Sequence, residues 1–224
     1  MNDDDSTSVE APTESDVVEI SKLYLASRAD ALPFLRQVHT DSEVLDWIRY
    51  VLLRRGESAV ARRRGTILGF AALDGDALAQ LYVLPGQYRH GIGRMLLDWA
   101  KARSPSRLCL YTFQRNERAR AFYESQGFRA LTVTDGARNE EKEPDILYEW
   151  IQRSNRRKAR SRQNSIDNAT SFSNPVADGR VRQCRVERVS SPVSIHEAAG
   201  GQFETLEPTR SRRRSGHLRI SGRL

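Results

Sequence analysis

Glycines and basic residues separate a strand-like apolar run from an amphipathic helical run in the segment LYVLPGQYRHGIGRMLLDWAK, residues 81–101. Backbone N–H groups at the start of a helix have no partner within the helix, and together with the helix dipole they bind a pyrophosphate. Gly91 and Gly93 would let the backbone approach such an anion without an intervening Cβ atom. The segment therefore predicts a phosphate-binding turn.

The predicted turn combines backbone donors with basic side chains. Its members are Tyr88, Arg89, His90, Gly91, Ile92, Gly93 and Arg94. A dinucleotide-binding fingerprint is excluded because it needs a third glycine where Leu96 stands. A P-loop is excluded because Gly-Lys-Ser and Gly-Lys-Thr are absent from the sequence. An ordinary tight turn into a helix is the alternative interpretation of the two glycines.

A second segment with chemical meaning, NERARAFYESQGF, covers residues 116–128. Asn116 is a helix-capping residue type, and Gly127 is a typical helix terminator. Phe122 and Tyr123 lie between them, and a tyrosine hydroxyl can act as a general acid in group transfer. Taken alone, Asn116 is equally typical of an ordinary cap, and Tyr123 of a half-buried aromatic residue.

Together the two segments resemble the signature of the GNAT acetyltransferases, a family of acyl-coenzyme A-dependent N-acyltransferases. The first motif of that family is Arg or Gln, two residues, Gly, one residue, and Gly or Ala. It aligns with YRHGIG, so Tyr88 stands at the usual Arg or Gln position. The second motif aligns with NERARAFYESQGF. The resemblance covers residues 8–150 and implies an α/β fold, with a mixed central sheet of about six or seven strands and helices on both faces.

The resemblance also implies an enzyme that transfers an acetyl group from acetyl-CoA to a primary amine of a small molecule or protein, without a metal. Tyr123 would be the acid that hydrogen-bonds the coenzyme sulfur. A main-chain N–H among Leu81, Tyr82 and Val83 would polarise the carbonyl where the fourth and fifth strands splay apart. Asn116 would contact the coenzyme near that fork. Because the family binds phosphate mainly through the backbone, Tyr88 is expected to alter coenzyme binding rather than abolish it.

The general base has several candidates. Many family members carry a carboxylate on the fourth strand, but Ala77, Ala79 and Gln80 occupy much of that strand here. The open candidates are Asp74, Asp76, His39, Glu140 and Glu141, each of which is also typical of a solvated surface. The resemblance implies that residues 28–40 and 139–145 wall the acceptor pocket. The second stretch is acidic, which suits a cationic amine but is equally typical of a wet loop.

Apolar spacing and capping signals predict the elements that position these residues. The predicted elements are an edge strand at 8–11, helices from Thr13 to about Leu32 and from the capping box Thr40–Glu43 to about Gly56, strands at 58–62, 66–73 and 77–84, a helix to about Arg103, a strand at 108–113, a helix from Asn116 to Gly127, and strands at 129–133 and 146–150. Hairpin-turn residues separate the three central strands, which therefore form an antiparallel meander.

Charge divides the chain into three parts. Residues 1–16 contain six carboxylates and no Lys or Arg, whereas residues 151–224 contain 16 Lys plus Arg and 6 Asp plus Glu, a net charge of +10 against −3 for residues 1–150. Ile, Leu, Val and Phe are scarce in the last part. We predict a mostly disordered acidic N-terminus at 1–12, a GNAT domain at 13–152 and a disordered basic tail at 153–224.

Two other functions stay open. A GNAT-like domain can bind acyl-CoA without catalysis, and the basic clusters at 155–158 and 212–214 can bind nucleic acid or another acidic surface. No apolar run is long enough to span a membrane, and the N-terminus lacks an export signal. Two cysteines, Cys109 and Cys184, are too few for a disulfide framework or a metal site. We therefore expect a cytoplasmic protein.

Overall fold

The structure is a computed structural model that describes residues 6–55 and 57–152. The predictions for residues 1–5 and for the basic tail at 153–224 lie outside the described residues. The described elements are β1 (Ser8–Glu10), a 3₁₀ turn (Glu14–Asp16), α1 (Val17–Ala31), α2 (Asp41–Trp47), a π-helical turn (Ile48–Leu52), α3 (Leu53–Arg55), β2 (Glu57–Arg63), β3 (Thr66–Asp74), β4 (Ala77–Val83), α4 (Ile92–Arg103), β5 (Arg107–Phe113), α5 (Glu117–Ser125), β6 (Arg129–Thr134) and β7 (Asp145–Ile151).

Hydrogen bonds from the predicted capping residues start the first two helices. Thr13 N donates to Asp16 Oδ2 at 2.8 Å, in the turn that leads into α1. Thr40 N donates to Glu43 Oε2 at 2.7 Å, and Glu43 N donates back to Thr40 Oγ1 at 3.3 Å. Such bonds satisfy N–H groups that have no partner inside the helix. Both predicted helix starts are confirmed.

The strands form one mixed sheet in the order β1-β2-β3-β4-β5-β7-β6. Every neighbouring pair is antiparallel except β4 and β5, which run parallel. The β2–β3 hairpin closes on Arg64 and Gly65, whose φ angles of 48° and 78° suit a two-residue turn that matches the strand twist. The predicted mixed α/β sheet is confirmed, and β1 is its predicted edge strand.

Two hydrophobic cores lie on opposite faces of the sheet. Side chains of a strand point alternately to its two faces. On β3, Phe70 and Ala72 therefore pack in the core beneath α1 and α2, whereas Ala71 and Leu73 pack in the core beneath α4 and α5. The predicted arrangement of helices on both faces is confirmed.

Helix α4 packs closely on β3 at Gly69. A Cβ atom at this position would lie 2.9 Å from Tyr82 O and 3.0 Å from both Ile92 Cγ2 and Leu96 Cδ1. These distances are too short for packed atoms, so a larger residue would push the helix away. Since Gly69 pairs with Val83, this contact fixes the start of α4 against the end of β4.

Candidate active site

The parallel strands β4 and β5 separate soon after they begin. Among the described residues they share one Cα pairing, Ala77 with Cys109. On the other side of β4, Leu78 and Gln80 pair with successive residues of β3, which leaves Ala79 as a bulge. A bulge bends a strand and increases its twist. The result is a fork that opens between β4 and β5 towards Val83.

Backbone N–H groups of β4 point alternately towards β3 and towards the fork. Leu84 N donates to Leu68 O on β3 at 2.8 Å. By the alternation of an antiparallel pair, the N–H of Tyr82 also faces β3, and those of Leu81 and Val83 face the fork. Of the three predicted main-chain donors, the geometry thus aims Leu81 and Val83 at the fork, where Tyr82 can contribute only its side chain.

Helix α4 begins without a side-chain cap. Its N-cap Gly91 has a φ of 83°, no side chain caps its first turn, and that turn contains no acidic residue. In contrast, Thr40 caps α2 and Asn116 caps α5, each with acidic residues in the first turn. The N–H groups of residues 91–94 precede the first helical bond, from Met95 N to Gly91 O at 3.0 Å. The start of α4 thus offers bare donors to an anion.

Exposed basic side chains surround the start of α4. Arg89, His90 and Arg94 are all exposed. Arg94 Nε lies 3.7 Å from Asp98 Oδ2, and both side chains are mostly exposed, so this pair is weak. Uncapped N–H groups with cations around them favour a ligand with two or more negative charges, and a pyrophosphate fits this description.

The two glycines of the turn differ in what they permit. At Gly91 a Cβ atom would meet no other atom within 4 Å, so the positive φ is what favours glycine there. At Gly93 a Cβ atom would lie 3.5 Å from Phe122 Cζ, which is ordinary contact. The position of Gly93 therefore has room for the alanine that the motif also allows.

Tyr88, at the altered position of the motif, lies half-buried against the helices. Its hydroxyl is buried and lies near the Asp30 and Ser27 side chains of α1. Arg118 Cζ lies 4.6 Å from the centroid of its ring. Burial, and after it the Asp30 carboxylate, raises the pKa of Tyr88. The Tyr88 hydroxyl is thus directed into the protein and is not placed to contact a phosphate.

Tyr123 lies on α5 and is 8% exposed. Its ring centroid lies 5.2 Å from that of Phe122 and 5.6 Å from that of Phe128. Burial, and secondarily the phenol of Tyr82, raises the pKa of Tyr123 above its ordinary value. Tyr82 packs in the α1–α2 core and Tyr123 in the α4–α5 core. The two tyrosines thus lie in the cores on opposite faces of the sheet, and Tyr123 is a protonated donor at neutral pH.

Asn116 lies where β5 leads into α5. Its Oδ1 accepts a hydrogen bond from Ala119 N at 3.1 Å, and its N–H donates to Phe113 O at 3.0 Å. The predicted helix cap is confirmed by the first bond. The predicted contact between Asn116 and a coenzyme stays a prediction.

A wall of the fork on the α1 side contains Tyr24, which the sequence did not single out, beside Tyr82, Arg28 and Glu141, which it did. The ring centroids of Tyr24 and Tyr82 lie 4.9 Å apart, and Arg28 Cζ lies 5.5 Å from the Tyr24 ring. Arg28 Nη2 donates to Glu141 Oε1 at 3.0 Å. The aromatic spacing of α1 resembles ordinary core spacing, so no local signal distinguishes Tyr24 from a packing residue.

The loop between β6 and β7, residues 135–144, is tightly folded. Asn139 is 8% exposed, and its Nδ2 donates to Glu143 O at 2.7 Å and to Asp145 Oδ2 at 3.0 Å. Gly136 has a φ of 79°, and a Cβ atom there would lie 2.3 Å from the Glu143 carbonyl carbon. The loop therefore has little freedom to rearrange, and it presents Glu140 and Glu141 from a fixed frame.

The acidic residues of this loop are partnered. His39 Nε2 lies 2.7 Å from Glu140 Oε1, and their side chains are 9% and 19% exposed. Glu141 accepts the hydrogen bond from Arg28 of α1, and Glu143 Oε1 lies 3.6 Å from Arg115 Nη1. Glu140 Oε2 is buried and has no hydrogen bond within the described ranges. The interpretation of this stretch as a wet loop is wrong for Glu140 and Glu141, which are held against the α1 side.

The structure separates the candidate bases into two groups. His39, Glu140 and Glu141 lie together where the β6–β7 loop meets the α1 side. Asp74 and Asp76 lie at the β3–β4 turn, at the other end of β4 from Tyr82. At ~3.3 Å per residue this end is about 20 Å from Tyr82 along the strand. Asp74 and Asp76 are therefore remote from the fork.

Comparison with known proteins identifies the family. The model of the acetyltransferase (GNAT) domain matches residues 54–130. Over 138 residues the chain is 30% identical to the peptidyl-lysine N-acetyltransferase YiaC of Escherichia coli strain K12. The aligned region covers 61% of this chain and 91% of YiaC. The chain belongs to the GNAT acetyltransferase family. It is accordingly an N-acetyltransferase, and the family and the activity predicted from the two motifs are confirmed.

Solved structures share the GNAT fold with this chain. The apo form of YjaB from Escherichia coli superposes with a TM-score of 0.56 at 22% identity, over 66% of this chain and 99% of YjaB. The PaiA N-acetyltransferase of Thermoplasma acidophilum, solved in complex with coenzyme A, gives a TM-score of 0.51 at 19% identity, over 65% of this chain and 99% of PaiA. The mixed sheet with its helical layers is thus a fold that this chain shares with these proteins.

In the described part of the chain, no group of three or more His, Cys, Asp or Glu residues is arranged to hold a metal ion. No helix among the described residues is long and apolar enough to cross a membrane.

Proposed function

We propose that this GNAT acetyltransferase transfers the acetyl group of acetyl-CoA to the side-chain amine of a lysine in a protein or peptide. The start of α4 supports the donor, because its uncapped N–H groups and the exposed Arg89, His90 and Arg94 suit a pyrophosphate. The relative YiaC, a peptidyl-lysine N-acetyltransferase, supports the acceptor class. Because acetyl-CoA is made inside cells, we place the enzyme in the cytoplasm.

The observation that carries the proposal is the fork between β4 and β5, with a buried, protonated Tyr123 beside it. The fork leaves the N–H groups of Leu81 and Val83 directed at an open space between two strands. A thioester placed there would meet backbone donors on one side and a phenol on the other. These are the groups that acyl transfer from a thioester requires.

A lysine acceptor must first lose a proton, since its ammonium has a pKa of about 10.4 in water. Glu140 is suited to bind this ammonium because its Oε2 is buried and lacks a hydrogen bond among the described residues. A buried carboxylate oxygen without a partner is costly, and a cationic ligand would relieve that cost. His39 orients the carboxylate through Oε1. We assign to Glu140 the binding of the ammonium and the acceptance of its proton.

Each remaining step uses a group at the fork. The lone pair of the neutral amine attacks the acetyl carbonyl carbon, and a C–N bond forms. N–H groups of Leu81 and Val83 stabilise the negative charge that develops on the carbonyl oxygen. The C–S bond then breaks, and the sulfur takes the proton of the Tyr123 hydroxyl. The former amine nitrogen releases its second proton, which returns through water to Tyr123, and Glu140 gives the first proton to solvent. The products are an N-acetylated lysine and free coenzyme A.

The test incubates the purified chain with acetyl-CoA and a lysine-containing peptide, and measures acetylated peptide by mass spectrometry and coenzyme A by thiol assay. A peptide with arginine in place of lysine is the acceptor control. Glu140→Gln should lose activity, and Glu143→Gln, in the same loop but paired with the exposed Arg115, should keep it. Activity on free amines alone would refute the acceptor class. Equal activity of the two variants would refute the role of Glu140.

A non-catalytic GNAT domain that only binds acyl-CoA is the competing function. It predicts coenzyme A binding without any acetylated product across peptides and small amines. The similarity to YiaC, a peptidyl-lysine N-acetyltransferase, favours catalysis over this alternative.

A further inference from the structure

The side chain of Arg118 lies on the residue where the phosphate-binding motif departs from its usual form. At that position the motif carries Arg or Gln, and this chain carries Tyr88. Arg118 belongs to α5, and its Cζ lies 4.6 Å from the centroid of the Tyr88 ring. A guanidinium over an aromatic face is held by electrostatic attraction. The Arg118 guanidinium of α5 therefore lies over Tyr88, the motif position at which the turn itself has no cation.

A contact of Phe122 shows which face of α5 meets the start of α4. Arg118 and Phe122 are four residues apart on α5 and share one face of that helix. Phe122 Cζ lies 3.5 Å from where a Cβ atom on Gly93 would stand, so Phe122 contacts the first turn of α4. Arg118 lies one helical turn away from this contact, about 5.4 Å along α5. Arg118 therefore lies on the face of α5 that meets the first turn of α4.

Among the described residues, protein contacts orient the Arg118 guanidinium but engage only some of its N–H donors. Its Nη1 lies 3.1 Å from Asp30 Oδ2, with the two side chains 61% and 42% exposed. A guanidinium has five N–H donors in a planar fork, and the Asp30 contact engages one terminal nitrogen. The Tyr88 ring below it is half-buried and packs against the α4–α5 core. Arg118 therefore presents donors to solvent from a defined position beside α4.

We propose that Arg118 binds the pyrophosphate of the coenzyme and supplies from α5 the contact that the motif usually draws from the position of Tyr88. Tyr88 is the platform for the guanidinium, and Asp30 is an ion-pair partner that competes with the phosphate for it. This inference rests on the proposed use of acetyl-CoA, because it needs the coenzyme as the ligand. It explains how the chain tolerates a tyrosine at the altered position.

The test measures binding by isothermal titration calorimetry with three ligands. Coenzyme A has both a pyrophosphate and a 3′-phosphate, dephospho-coenzyme A lacks the 3′-phosphate, and pantetheine lacks all phosphates. Arg118→Gln should weaken the first two ligands equally, by about tenfold, since a hydrogen bond to a charged group is lost. It should leave pantetheine unchanged. Arg118→Lys keeps the charge without the fork and should lie between the wild type and Arg118→Gln.

A matched control is available nearby. Arg115 Cζ lies 4.1 Å from the Phe34 ring, and Arg115 is paired with Glu143 and 59% exposed. It thus repeats the surroundings of Arg118, an aromatic ring and a carboxylate, away from the start of α4. Arg115→Gln should bind coenzyme A like the wild type. Asp30→Asn, which frees Arg118 of its carboxylate, should bind coenzyme A at least as tightly as the wild type.

Several results would overturn the assignment. Unchanged affinity of Arg118→Gln for coenzyme A would be one such result. Another would be weaker binding of coenzyme A with unchanged binding of dephospho-coenzyme A, since this would mean that Arg118 contacts the 3′-phosphate and not the pyrophosphate. Equal weakening by Asp30→Asn, or weaker binding of pantetheine, would trace the effect to altered packing. Thermal melts of each variant confirm that it is folded. A wild type that binds no coenzyme A would instead refute the proposed function, and so the two failures are distinguishable.

Discussion

Replacing Tyr123 with Phe removes one oxygen atom and keeps the ring that packs on Phe122 and Phe128. We expect kcat to fall by about 100-fold, because a general acid contributes at least that much, while coenzyme A affinity and folding stay unchanged. The rate of coenzyme A release and calorimetry measure the two quantities. Tyr50→Phe, at a tyrosine that is 52% exposed, is the matched control and should retain wild-type kcat. Full activity in Tyr123→Phe would mean that another group protonates the thiolate.

Burial also makes Tyr123 a source of pH-dependent stability. In the folded state burial raises its pKa above the ordinary value of 10.0, so the phenol ionises less readily when folded than when unfolded. The stability this provides is fully present below pH 10 and is lost as the pH rises through the folded-state pKa. The free energy of unfolding of the wild type, minus that of Tyr123→Phe, should therefore fall above about pH 10. Urea denaturation of both proteins across this pH range measures the difference. A difference that does not change with pH would mean that the Tyr123 phenol is solvated in the folded protein.

At the scale of elements, local signals predict helix starts well. Thr13 and Thr40 cap their helices because each bonds a carboxylate residue three positions later. The fork had no such local signal, since it depends on a bulge at Ala79 and on which strands pair. The resemblance to the GNAT family, and no local pattern, predicted the fork. The pairing of Glu141 with Arg28 joins residues 113 positions apart, and no local pattern encodes it.

The first turn of α4 provides a comparison of two glycines one residue apart. Gly91 has a φ of 83°, so Gly91→Ala should destabilise the fold by about 1 kcal/mol and weaken coenzyme A binding. Gly93→Ala adds a methyl group at ordinary contact distance from Phe122, inside a helix where alanine is favoured, so it should keep or raise stability. Chemical denaturation and calorimetry check both. Equal destabilisation by the two variants would contradict the assignment of Gly91 as the left-handed N-cap.

The β6–β7 loop can be tested through Gly136. A Cβ atom there would lie 2.3 Å from both the carbonyl carbon and the oxygen of Glu143, so Gly136→Ala must displace the loop that holds Glu140. We expect the KM for the acceptor to rise at least about tenfold, in keeping with lost positioning, while coenzyme A affinity stays unchanged. Gly75→Ala has a similar positive φ but open space around the Cβ, and it lies at the β3–β4 turn. It should leave the acceptor KM unchanged, and a matching rise would show a general effect on folding.

At the scale of the whole molecule, alternating apolar residues and turn signals were enough to predict a mixed sheet between two helical layers. The predicted strands differ from β2–β7 by one residue or so at their ends, because the end of a strand depends on its partner and not on its own residues. β5 pairs with β7 and not with β6, and this choice depends on the path of the chain through the whole sheet. The residue pattern therefore does not predict the spatial order of β5, β6 and β7.

The division of the chain into a GNAT domain and a basic tail is testable by truncation after Gln152. Gln152 N donates to Ser106 O at 3.2 Å, so a chain ending there keeps the hydrogen bonds described for β7. Its net charge changes from +7 to −3. We expect the truncated chain to keep wild-type kcat and coenzyme A affinity, because the fork, the α4 turn and the β6–β7 loop all precede residue 153. Any salt-sensitive binding to nucleic acid should disappear with the tail, since it depends on clustered basic residues. Loss of acetyl transfer in the truncated chain, with its fold intact by circular dichroism, would contradict the assignment of the whole active site to residues 13–152.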